Sequence, residues 1–142
     1  MYTPIFKAKR LDSNIFVQGA YYEFLPNTPY PVVGKEQERE PLEYKHVIIT
    51  TKSSDWGMPR ELTAIEVDKN TLCVNTGHMD KNGLPIWEHD IVQYEDEQGS
   101  SLTGEVIWNH ENACFEVWVK DGNFCQPFPL KNWKVLHSKY EE

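Results

Sequence analysis

Residues 86–136 break into about four short β-prone runs, separated by turns rich in glycine, asparagine and aspartate. That spacing constrains the chain more than any other feature. Runs this short cannot be long helices, and tight turns force successive strands to lie antiparallel. Ile91–Tyr94, Gly104–Trp108, Cys114–Val119 and Trp133–Leu136 are the runs. In the third, Phe115, Val117 and Val119 fall on one side by the period of two, and Glu116 and Trp118 on the other. Many short strands at even spacing are the pattern of a small barrel or a strongly bent antiparallel sheet. We therefore expect a mainly β fold, with a small barrel or strongly bent antiparallel sheet over residues 72–136.

Upstream, Ile5–Ala8 and Ile15–Tyr22 flank Asp12-Ser13-Asn14, a hairpin signal. Gly19 interrupts the second run and predicts a bulge or a close backbone approach. Residues 25–45 differ in kind, with Pro26, Pro29, Pro31 and Pro41 in one stretch. They predict a Pro-rich loop or arm that reaches another copy, with Pro29, Tyr30 and Pro31 as interface residues. His46–Thr51 and Glu61–Glu66 predict strands, and Asp68 a cap on a short turn. The 142 residues suit one domain, or two lobes over 1–71 and 72–142.

Charge is uneven. Residues 1–50 hold six basic and six acidic residues, whereas residues 51–142 hold eight and sixteen and carry the net charge of -8. Such a surface repels nucleic acid at long range, so no nucleic-acid partner is expected. The one tight basic cluster, Lys7, Lys9 and Arg10, is its only sequence-level contact point and is read first as a solvated strand edge. Cys73 and Cys114 sit among apolar residues and read as small core hydrophobes. Three widely spaced cysteines fit a reduced, cytoplasmic chain. No stretch is long enough to cross a bilayer as a helix.

His78, Asp80, Glu88, His89 and Asp90 are the densest set of potential ligands or acid–base groups. A hydrolytic metal site on His78, Asp80 and His89 is one reading. The spacing argues against it. Adjacent His89 and Asp90 point to opposite faces of a strand, and no pair has the i, i+4 helical spacing of a zincin. Turn chemistry explains the residues better: Asp80 before Lys81-Asn82-Gly83 is placed to accept backbone N–H bonds, and Asp90 to do so before its strand. We therefore expect structural turn or cap roles for Thr76, Gly77, Asp80, Asn82, Gly83, Glu88 and Asp90, with no catalytic residue, metal or cofactor. A thiol pair of Cys125 with His110 or His137 is no more than a chance pairing of residue types. Trp118, set opposite the core-facing valines, is expected to face outward and mark a protein interface.

The run TGHMDKNGLPIWEHDIVQY, Thr76 to Tyr94, resembles the YopX family of phage and prophage proteins. Thr76, Gly77, Asp80, Asn82, Gly83, Ile86, Glu88, Asp90, Ile91 and Val92 fit the family's central motif. Phe6–Arg10 with Phe16–Gly19 look like its opening, Glu66-Val67-Asp68 like its lead-in and Gly104-Glu105-Val106 like the following strand. His89 stands where the family usually has Gly, His78 where it usually has Leu, and the C-terminal end matches loosely. The resemblance implies a mostly β fold, a mobile-element origin and, for some members, oligomers; it implies no activity. The function expected is that of a non-catalytic phage or prophage accessory protein. It would work in the bacterial cytoplasm as a homo-oligomer, through contacts with an unidentified protein partner and with no membrane role. A nucleic-acid-binding barrel and the metal hydrolase are the alternatives.

Overall fold

The computed structural model describes residues 4–26, 43–52, 61–119, 124–127 and 132–141. The expected interface residues Pro29, Tyr30 and Pro31, with the rest of the Pro-rich segment from 27 to 42, lie outside these. The chain divides into two units, Ile5–Leu72 and Cys73–Glu142, the second taking in Met1–Pro4.

In the Ile5–Leu72 unit, β1 (Phe6–Lys9), β2 (Phe16–Phe24), β3 (Lys45–Lys52) and β4 (Glu61–Glu66) lie side by side in the order β4-β3-β2-β1. All three pairings are antiparallel. The β1–β2 hairpin closes where the Arg10 N–H donates to the Ile15 carbonyl at 3.0 Å. Strand alternation buries Ala8 and Ile48 on one face. Val67 joins them, and Phe6, Val17, Tyr21 and Leu72 pack around this core. Asp68 caps the 3-10 turn Lys69–Thr71, its Oδ1 accepting from the Asn70 N–H at 3.0 Å. The Thr71 hydroxyl donates to the Asp68 carbonyl and accepts from the Lys9 N–H, at 2.8 and 2.9 Å, which ties the turn to β1.

The Cys73–Glu142 unit contains β5 (Cys73–Met79), β6 (Pro85–Trp87), β7 (Asp90–Glu95), β8 (Ser101–Asn109), β9 (Cys114–Val119), β10 (Phe124–Pro127) and β11 (Trp133–Ser138). β5 and β6 form an antiparallel pair with an irregularity between Asn75 and Met79. Gly77, at φ 80°, sits inside that irregularity. It breaks the period-two pattern, which is why β5 does not stand out in the sequence. The other strands form a five-stranded antiparallel sheet in the order β10-β9-β8-β7-β11. Val92, Val106, Val117, Val119 and Trp133 from this sheet make a buried core with Ile86 of β6. Tyr94, Phe115 and Val135 pack against it.

The barrel or strongly bent sheet expected from the turn spacing does not form; the sheets are open. β10 and β11 end the five-strand order, and no pairing among the described residues joins them. Short turns dictate that neighbours in sequence pair antiparallel, but not that the first and last strands meet. Here β11 returns to β7, pairing Trp133 with Tyr94 and Val135 with Val92, and so occupies the edge a barrel would need for β10. Pro127, in β10, has no N–H to extend a ladder and suits an edge.

Gly19 explains its own interruption of β2. A Cβ built there would collide with the Ile49 carbonyl oxygen and lie 3.1 Å from Ile48 Cγ2. Gly19→Ala must therefore push β2 and β3 apart. We expect a loss of about 2–3 kcal/mol, read as a lower urea midpoint with unchanged slope. Gly83→Ala meets no atom within 4 Å and suffers only from its φ of 80°, so it should cost about 1 kcal/mol.

Candidate functional site

The acidic and amide residues from 76 to 90 begin at the turn joining β5 and β6. Asp80 Oδ1 accepts from the backbone N–H groups of Asn82 and Leu84, both at 2.8 Å. Its Oδ2 accepts from the Val135 N–H on β11 at 2.9 Å. The Asp80 N–H donates to the Leu84 carbonyl, Gly83 N–H to the Asp80 carbonyl, and Lys81 N–H to the Trp133 carbonyl, at 2.8, 3.0 and 3.0 Å. Gly83 completes the turn at φ 80°. Asp80 is buried. Burial alone pushes its pKa up, but the N–H bonds from Val135, Leu84 and Asn82, together with the Lys81 charge, hold it below the ordinary value of 3.8. Both carboxylate oxygens are thus occupied by backbone donors.

The same turn recurs between β7 and β8, where sequence inspection registers only a polar connection. Asp96 Oδ1 accepts from the Gln98 and Ser100 N–H groups at 2.9 and 2.8 Å, and Gly99 has φ 83°. Asp80-Lys81-Asn82-Gly83 and Asp96-Glu97-Gln98-Gly99 share Asp, a one-residue gap, an amide residue and Gly. That shared spacing is the signal that could have found the second from the first.

A second cluster forms at the entry to β7. Thr76 Oγ1 donates to the Ile86 carbonyl at 2.7 Å, and the Gly77 N–H donates to Asn75 Oδ1 at 2.7 Å. The Glu88 N–H donates to the Val74 carbonyl at 2.9 Å. Asp90, also buried, accepts from the Trp87 N–H through Oδ2 at 2.8 Å. Between them His89 adopts φ 67°, in the left-handed region that favours glycine. Its backbone is held there from both sides: the N–H donates to the Val106 carbonyl at 2.8 Å, and the carbonyl accepts from the Lys139 N–H at 2.9 Å.

The His89 ring lies between its neighbour Glu88 and groups distant in sequence. Glu88 Oε1 is 4.0 Å from Nε2, and Glu105 Oε2 is 3.9 Å from Nδ1, a buried atom with no hydrogen-bond partner. Lys139 Nζ lies 3.2 Å from Glu105 Oε1, a contact that raises the lysine pKa through the hydrogen bond and the carboxylate charge. Tyr140 meets the imidazole edge-on, with centroids 5.6 Å apart. Burial first, then the neighbouring Cys73, Glu105 and Glu88, pushes the Tyr140 phenol up against the opposing effect of Lys139. Glu105, Lys139 and Tyr140 were not legible as neighbours, because β-sheet register and the C-terminal turn bring them in. The two carboxylates approach opposite ring nitrogens and so do not converge on one ion. Among the described residues no group of three His, Cys, Asp or Glu side chains is arranged to hold a metal. His78 is exposed on β5, and Asp80 lies under its turn.

The basic cluster is split by its strand. Lys7 is buried, with Nζ 4.8 Å above the Phe16 ring, and Lys9 Nζ stands 5.7 Å from the same ring. Arg10 is engaged by Asp12 through two bonds of 2.8 and 2.9 Å. A cavity of about 350 Å³ opens at this hairpin turn, lined by Lys9, Arg10, Asp12, Ser13, Asn14 and Asp68 among others. Cys73 is buried and Cys114 half-buried, and neither is in a disulfide. Burial and the nearby Glu116 push the Cys114 thiol up, away from the thiolate form a nucleophile needs. The side chain of Cys125 lies outside the described residues. Trp118 is 38% exposed. No helix among the described residues is long and apolar enough to cross a membrane.

Asp80→Ala leaves three backbone N–H groups without their acceptor and should cost about 3 kcal/mol in urea melts. Asp96→Ala strands only local donors and should cost about 1 kcal/mol. Because the folded-state pKa of Asp80 lies below its ordinary value, its contribution is complete above pH 3.8 and is lost as pH falls through the lower native value. Acid titration of Asp80→Asn should accordingly show a shallower loss of stability below that pH than the parent chain.

No curated protein matches the chain. A family model described as YopX protein matches residues 6–142. That match takes in both units described above, and the chain belongs to the YopX family.

Proposed function

We propose that this YopX-family chain is a non-catalytic phage or prophage accessory protein. It acts in the cytoplasm of the bacterial host as a homo-oligomer that contacts a further protein. The observation that carries this is Trp118. Its neighbours Val117 and Val119 are buried in the core, and strand alternation turns Trp118 to the opposite face of the sheet, where it is 38% exposed. Glu105 lies directly across from it on β8, and Ile91 is next in that row on β7. A large exposed indole is costly in water and is a frequent anchor of protein interfaces. The carboxylates around it, with the excess of acidic residues after position 50, favour a basic partner surface.

Non-catalytic action is further supported by the arrangement of the polar groups. The Asp80 and Asp90 carboxylates accept backbone N–H bonds, and Glu88 and Glu105 flank His89 at opposite nitrogens.

Light scattering on the purified chain should give a molar mass above the 16.6 kDa of one copy. Trp118→Glu should lower that mass toward one copy while leaving the far-UV spectrum unchanged. A parent chain that runs as one copy, or an oligomer indifferent to Trp118→Glu, rejects the proposed contact surface.

A further inference from the structure

The strands β1–β4 of the Ile5–Leu72 unit have a second face, turned away from Ala8 and Ile48. Register places Lys9 opposite Phe16 and Lys7 opposite Gln18 on the β1–β2 pair. On the β2–β3 pair it places Tyr22 opposite Val47 and Phe24 opposite Lys45. Alternation then puts Lys7, Lys9, Phe16, Tyr22, Phe24 and Lys45 on one face, although they are scattered over nearly forty residues of sequence. Tyr22 is 56% exposed, and its ring is stacked on Phe24 with centroids 5.8 Å apart and planes 16° from parallel. About 20 Å along β2, at the usual strand rise, Lys7 and Lys9 stand over Phe16. Glu66, opposite Val47, adds a carboxylate to this face. Glu23 lies on the other face, with Tyr21 and His46.

We propose that this face binds a short stretch of single-stranded nucleic acid. An unpaired base stacks on Tyr22, already backed by Phe24, and backbone phosphates lie toward Lys9 at one end and Lys45 at the other. Aromatic rings interleaved with cations along a sheet face supply the two terms such binding needs, base stacking and phosphate neutralisation. A duplex offers no free base face to Tyr22 and is disfavoured. The acidic excess of the chain falls after residue 50, whereas the first fifty residues are neutral, so the long-range repulsion does not originate in the strands that carry these groups. These groups belong to the Ile5–Leu72 unit and Trp118 to the other, and the proposal does not depend on the contact function proposed above.

The test uses the full chain and fluorescein-labelled mixed-sequence oligonucleotides of about fifteen nucleotides, as DNA, as RNA and as DNA duplex, followed by anisotropy at low salt. Saturable binding of a single strand, tighter than of the duplex, is expected; the DNA and RNA arms show which sugar is preferred. Tyr22→Ser should weaken it by roughly tenfold and Tyr22→Phe by no more than about twofold, since the ring does the stacking. Lys9→Glu with Lys45→Glu should weaken it further and reduce the slope of log K against log salt by about 0.7 per lysine removed. Tyr22 is largely exposed, so Tyr22→Ser should keep the near-UV spectrum and melting midpoint of the parent apart from the lost phenol. The proposal is overturned by any of three results: no anisotropy change with either single strand, binding that ignores Tyr22→Ser and the lysine pair, or Tyr22-dependent capture of a poly-glutamate peptide in place of the oligonucleotides.

Discussion

One carboxylate holds the Cys73–Glu142 unit to its topology. Asp80 gives one oxygen to its own turn and the other to the Val135 N–H on the last strand, a link across 55 positions of sequence. The Lys81 N–H adds a second bond to the Trp133 carbonyl. Together they fasten the β5–β6 turn to β11, whose Trp133 and Val135 pack in the core with Val92. An ionised carboxylate is expensive to bury unless its lone pairs are filled. Three backbone donors fill them here, and they hold the group charged despite its burial.

Local hydrogen bonding of this kind recurs at the strand ends among the described residues. Asp68 caps a 3-10 turn, Asp96 repeats the Asp80 turn, and Asn109 Oδ1 accepts from the Glu111 and Asn112 N–H groups before β9. Each is a short polar side chain that satisfies backbone donors where a strand ends. The acidic composition of the chain is therefore partly a structural material. His89 shows how far the surrounding ladder can override a local preference: bonds to Val106 and Lys139 hold a non-glycine residue at φ 67°.

The strands were largely legible. The Asp12-Ser13-Asn14 hairpin, the β-branched run of β3 and the alternation of β9 all follow from residue type and period, and the side of β9 on which Trp118 lies follows from the same period. β5 escaped because Gly77 breaks its alternation. Barrel closure was wrongly expected because turn spacing fixes only which consecutive strands meet. The pairing of β11 with β7 skips three strands and depends on contacts between residues some forty positions apart.

Residue order alone determined the β class, most turn positions and the two-sided character of regularly alternating strands such as β9, since these depend on backbone preferences and on a local period of two. It also carried the family motif that the match over residues 6–142 bears out. Only the tertiary structure decided which strand lies beside which. Register between distant strands set Glu105 and Tyr140 around His89, and put Lys45 beside Phe24. Those neighbours are selected by the burial of whole faces at once, a cooperative quantity that no local stretch of sequence contains.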